Sequence, residues 1–140
     1  MGAVFFADIL QTRVEQVMSS PSFSQDEFLF LMKKVNVESA EEYLLARKDK
    51  IDNQYFERPF LNQVKKKCSP LAQTVVFRVP LNFYLNNAKS KYYSTAANYL
   101  KYLIELSVKI TDWKDVQPHW EYFQELHSKH YRKQAFWYYF

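Results

Sequence analysis

Residues 91–110, KYYSTAANYLKYLIELSVKI, decide the fold. Projected at about 100° per residue, Ser94, Asn98, Lys101, Glu105 and Lys109 fall on one narrow polar stripe. Tyr93, Ala96, Leu100, Leu103, Ile104 and Leu106 fill the rest of the circumference with apolar and aromatic groups. Only a strip about a third of the circumference wide is left for water, so the pattern predicts a central helix flanked by others. Glu105 and Lys109 add an i,i+4 pair in the favourable order. A faint internal echo links this helix to an earlier one. Ser39-Ala40-Glu41-Glu42-Tyr43-Leu44 and Thr95-Ala96-Ala97-Asn98-Tyr99-Leu100 both read hydroxyl, Ala, two residues, Tyr, Leu, near a helix start.

Upstream, Phe6, Ile9, Leu10, Val14 and Val17 recur at helical spacing between Ala3 and Met18, and Ser19-Ser20-Pro21 ends that helix. Ser24 with Glu27 is a capping box opening a second helix, whose Phe28, Leu31, Met32 and Val35 form a stripe. Phe30 lies off the stripe, either buried between neighbours or exposed toward a partner. Ser39 with Glu42 repeats the box and predicts a third helix to Ile51, facing inward with Ala40, Tyr43, Leu44 and Ile51. The short link between them makes residues 25–51 a helical hairpin or a helix-turn-helix-like unit. In residues 52–90, Pro59, Pro70 and Pro80 each bar an uninterrupted helix, and the β-branched run Thr74–Val79 leaves helix or a short extended segment open for 70–85.

Downstream, Pro118 suits the first turn of a last helix whose inner face takes Trp120, Phe123, His127, Tyr131 and Tyr138. The run Phe136–Phe140 is five aromatics. Such an end packs into the core, meets a partner, or leads into a longer chain. The expectation is an all-α fold, a compact bundle of five or six helices forming one domain over residues 1–140.

Composition narrows function. Of 140 residues 48% are hydrophobic and 24% charged, too apolar for disorder, and Gly2 is the one glycine where average usage of about 7% gives roughly ten. Glycine-rich phosphate loops and dinucleotide fingerprints are thereby excluded. No apolar run reaches membrane-span length, so no membrane partner is expected. Met1–Leu10 lacks a basic signal-peptide start, and Cys68 has no cysteine to pair with, which together favour a reducing, cytoplasmic setting.

Charge is lopsided: residues 1–62 carry 7 Lys/Arg against 10 Asp/Glu, and residues 63–140 carry 12 against 5. The basic half holds the candidate nucleic-acid contacts Lys65, Lys66, Lys67, Arg78, Lys89, Lys91, Lys129, Arg132 and Lys133, with aromatic rings nearby for stacking. Arg13 and Arg47 fall on apolar helix faces, where they snorkel, pair, or line a polar cleft. Phe30, Trp137, Tyr139 and Phe140 are the candidates for a protein interface, including self-association through the aromatic end.

Catalytic signatures are weak. His127 and His130 are spaced to share a metal, but no third ligand accompanies them, so neither metal nor other cofactor is expected. Cys68 follows three lysines without further catalytic context, and no Arg precedes a His at the R-x4-6-H ribonuclease spacing. The sequence reads as a non-enzymatic binding domain, for DNA or RNA in the first place and for a protein partner in the second.

Overall fold

The structure, a computed structural model, describes residues 2–51 and 54–140, with side chains at its N-terminal end from Phe6 onward. All regular structure among the described residues is helical: eight α-helices and two short 3-10 turns. The chain divides into two units, Met1–Ile51 and Asp52–Phe140, where the sequence reading treated it as a single domain.

In the first unit, α1 (Gly2–Met18) is followed by α2 (Gln25–Lys34), α3 (Val37–Ala46) and a 3-10 turn at Lys48–Lys50. The predicted hairpin is the packed pair α2 and α3, joined through Phe28, Leu31, Ala40, Tyr43 and Leu44, all fully buried. Ser24 caps α2, its Oγ accepting the Glu27 amide at 3.3 Å. The box closes through a third residue. The Tyr43 hydroxyl accepts the Ser24 amide at 2.9 Å and donates to Glu27 Oε1 at 2.8 Å. Burial, helped by that carboxylate, pushes the Tyr43 phenol up to about 12.

The start of α3 differs from expectation. Asn36 is the cap, its Oδ1 accepting the Ser39 amide at 2.7 Å, and the helix ends at Ala46 rather than Ile51. Asn caps as well as Ser does, and it stands earlier in the chain. α1 is anchored by fully buried Val17, while Phe6, Ile9 and Leu10 of its apolar face are exposed.

The second unit contains α4 (Arg58–Lys67), α5 (Pro70–Asn86), a 3-10 turn at Ser90–Tyr92, α6 (Tyr93–Ser107), α7 (His119–His130) and α8 (Gln134–Tyr139). The open question over residues 70–85 resolves as helix. Pro59 and Pro70 stand in the first turns of α4 and α5, where an amide has no intrahelical acceptor, so they begin helices instead of breaking them. Ser69 caps α5, accepting the Ala72 amide. Pro80 lies inside α5, yet residues 71–81 are buried without a break, and tertiary packing holds the helix past the missing amide.

α6 is central to this unit, with α5 and α8 packed on it. Phe77 of α5 meets Tyr99 and Tyr102, and buried Gln73 bonds both the Tyr102 hydroxyl and the Cys68 carbonyl. Tyr93 meets Phe136 of α8, ring to ring at 6.0 Å. The polar stripe Ser94, Asn98, Lys101, Glu105 is exposed as expected, and Ile104 joins it. In the echo, Ser39 and Thr95 are both third residues of their helices, and Ala40, Leu44, Ala96 and Leu100 are all fully buried.

The inner face predicted for the last helix needs correction. Trp120 is 62% exposed, and Tyr131 and Tyr138 are exposed too. The buried row is Tyr122, Leu126 and His130, spaced four apart. A turn at Tyr131–Lys133 then ends α7 and resets the helical phase, so Tyr138 cannot continue the row.

Candidate functional site

The nine basic residues proposed as one surface fall into three groups. Lys65, Lys66 and Lys67 end α4 and are exposed, with the Lys65 ammonium 4.5 Å from the Tyr102 ring centroid. Tyr102 follows Tyr93 by nine positions, which at about 100° per residue puts the two rings on opposite sides of α6. Lys65 therefore sits on the α5 side of α6, and α8 on the other.

The α8 side holds a second group. The contact of Tyr93 with Phe136 joins the turn before α6 to the turn before α8. Lys89 and Lys91 lie on the first turn; Arg132 and Lys133 lie on the second, with Lys129 just upstream at the end of α7. All but half-exposed Lys133 are exposed. Residues 86–104 and 126–140 contain no acidic residue. Exposed rings accompany the cations: Tyr92 stacks on Tyr84 at 4.8 Å with Lys91 near its face, and Arg132 lies over Tyr131 at 5.4 Å. Of the rings the sequence offered for stacking, Tyr92 is exposed here, whereas Tyr93 is buried and Trp113 lies by Arg78; the second exposed ring is Tyr131.

Arg78 stands apart. It is 9% exposed on α5, its guanidinium 4.3 Å from the Tyr122 ring centroid and 5.9 Å from that of Trp113. Its Nε and Nη2 meet no hydrogen-bond acceptor among the described residues, and neither does Nδ1 of neighbouring His119. Burial lowers the Arg78 guanidinium to about 10 and, together with that cation, holds His119 below the usual histidine range. Arg78 thus does not belong to an exposed nucleic-acid surface. Its place within the apolar run 71–81 was the one signal available in sequence, and the β-branched run Thr74–Val79 left the secondary structure there open.

Arg47 and Arg13 take different positions in the first unit. Arg47 lies over the Tyr43 ring at 4.1 Å and is satisfied by carbonyls: Nε and Nη2 donate to Ser20, Nη2 to Met18 and Nη1 to Tyr43. It ties the end of α1 to α3. Arg13 is exposed, with half-buried Phe30 5.6 Å beneath it.

At the aromatic end, Phe136 is fully buried and Trp137 is half-buried, its Nε1 donating to the His130 carbonyl at 2.9 Å. Tyr138, Tyr139 and Phe140 are exposed. The histidine pair divides: His127 is exposed, between Phe123 and Trp137, and His130 is buried and held down to about 4 by burial and by Lys133 and Lys129. Among the described residues no three His, Cys, Asp or Glu gather as a metal site, and no helix is long and apolar enough to cross a membrane.

No curated protein and no solved structure matches the chain. A family of unknown function, DUF6880, matches residues 6–139, nearly the whole length, and the chain belongs to that family.

Proposed function

We propose that this chain acts by binding rather than by catalysis, and that the second unit binds nucleic acid along the basic edge formed by Lys89, Lys91, Lys129, Arg132 and Lys133. The observation that carries the reading is the contact of Tyr93 with Phe136, which brings two cation-bearing, acid-free turns together. Phosphates are held by several cations on one side, and unpaired bases stack on exposed rings such as Tyr92 and Tyr131. The lysines of α4 are a separate group and contribute less.

Fluorescence anisotropy with a labelled single-stranded oligonucleotide, alongside the same sequence as duplex, tests this. Reversing two edge charges, K91E with R132E, is expected to weaken binding roughly tenfold at moderate salt. K66E is expected to matter less. Equal loss from both, or loss from neither, contradicts the reading.

A second reading rests on Tyr138, 85% exposed beside exposed Tyr139 and Phe140. In it a protein partner, or a second copy of the chain, covers Trp137, Tyr139 and Phe140, with Phe30 as a lesser candidate. Light scattering on the intact chain and on a Y139S/F140S variant discriminates: a dimer that the variant loses favours this reading over nucleic acid.

A further inference from the structure

Two arginines in this chain are buried against tyrosine faces, and they end differently. The Arg47 guanidinium lies 4.1 Å from the Tyr43 ring centroid and that of Arg78 4.3 Å from Tyr122. In each pair the ring covers the flat of the guanidinium and leaves its donor-bearing edge for something else. For Arg47 that something is a backbone carbonyl. The Ser20 carbonyl sits in the fork between Nε and Nη2 at 3.1 and 2.6 Å. For Arg78 the same two donors are the buried atoms left without an acceptor.

No carboxylate neutralises Arg78. The influences on its guanidinium are burial and the Tyr122 phenol, with no carboxylate among them. The Tyr122 hydroxyl is turned to Asn82, donating to Oδ1 at 2.6 Å. A buried, unneutralised cation with an open fork costs several kcal/mol, more than a cation–π contact returns. His119 is the neighbouring titratable group, and the Arg78 cation disfavours its protonation. Both neighbours of the guanidinium, Tyr122 and His119, belong to the first turn of α7, which also carries Glu121 and whose cap, Pro118, gives its amides no side-chain acceptor.

We propose that Arg78, His119 and the first turn of α7 form a binding site for a phosphate group. Two phosphate oxygens enter the Nε/Nη2 fork as the Ser20 carbonyl enters that of Arg47. A carboxylate has two oxygens, which the fork exhausts; a phosphate has more, and the first-turn amides and the His119 ring are donors for them. The half-exposed rings of Trp113 and His119 stand at the margin. This site is distinct from the basic edge: His119 and His130 open and close α7, about 16 Å apart along the helix axis, and the basic turn follows His130.

Calorimetric titration of the full chain tests the site, with inorganic phosphate, adenosine monophosphate and acetate as separate ligands. Saturable binding of phosphate but not of acetate is expected. Tighter binding of the nucleotide would assign the phosphate to a nucleotide, and equal binding to the free ion, each in support of the site. Arg78→Lys keeps the charge but loses the fork, and is expected to bind phosphate at least roughly tenfold more weakly. Arg78→Met removes the buried charge, and is expected to abolish binding while unfolding at the same or a higher temperature than the parent in phosphate-free buffer. A purely structural arginine would make that variant less stable. No saturable phosphate binding by the parent, equal binding of acetate, or an Arg78→Lys protein that binds phosphate as the parent does would each overturn the proposal. The K91E/R132E protein is expected to keep phosphate binding unchanged, so failure here and failure of the nucleic-acid reading are separable.

Discussion

At the scale of residues, a chain with one glycine must turn with other residues, and the end of α5 shows what that costs. The Lys89 amide bonds the Tyr84 carbonyl at 2.9 Å and the Ala88 amide bonds that of Leu85 at 3.3 Å, a Schellman closure with Ala88 at φ 49°. A Cβ is unfavourable there and glycine is the preferred residue. Ala88→Gly is therefore expected to stabilise the protein by about 0.5–1 kcal/mol, and Ala88→Val to destabilise it, read from urea unfolding midpoints. Arg47 is a buried cation each of whose three nitrogens donates to a backbone carbonyl. Arg47→Met leaves the Met18 and Ser20 carbonyls without their donors, and a loss of about 2–4 kcal/mol is expected in the same measurement. In sequence Arg47 was visible only as a charge on an apolar face. Beside the Tyr43 carbonyl of its own helix, its acceptors lie 27 and 29 positions away on the chain, and no local pattern reports those.

At the scale of elements, legibility followed the amino-acid spacing. α1, α2 and α6 were readable because their apolar residues recur cleanly, and α6 is central as its narrow polar stripe implies. α4 and α5 were hidden by prolines read as breakers, although Pro59 and Pro70 occupy first-turn positions where proline is at ease. α7 was found but rotated, because aromatic residues lie on both of its faces and Trp120, Phe123 and His127 outweighed Tyr122, Leu126 and His130 in apparent apolarity. Buried His130, absent from the predicted inner face, contributes to a pH dependence. Its pKa is lowered to about 4 in the folded protein against an ordinary 6.5 when unfolded, so the unfolded chain takes up the proton first. Stability is expected to be full above pH 6.5 and to decline as pH falls from 6.5 toward 4. His130→Leu is expected to flatten that part of the profile, measured as urea midpoints across the range; an unchanged slope would contradict the assignment.

At the scale of the whole chain, the two structural units divide charge as unevenly in sign as the two halves of the sequence do, acidic first and basic second. The unit Met1–Ile51 carries 6 Lys/Arg against 8 Asp/Glu, and Asp52–Phe140 carries 13 against 7. The excess of the second unit was legible from composition. Its arrangement was not: removing Arg78 to the interior and Lys65–Lys67 to the opposite side of α6 requires knowing which helices flank that helix. What remains is an edge of five cations with two exposed tyrosines and no acid in either segment. The salt dependence of oligonucleotide affinity tests that edge most directly. If Lys89, Lys91, Lys129, Arg132 and Lys133 meet phosphates, the logarithm of the affinity for single-stranded nucleic acid falls with the logarithm of salt at a slope of about −3 to −4, and K91E/R132E lowers its magnitude by about 1.4. An affinity indifferent to salt, or a slope that the double charge reversal leaves unchanged, would contradict it.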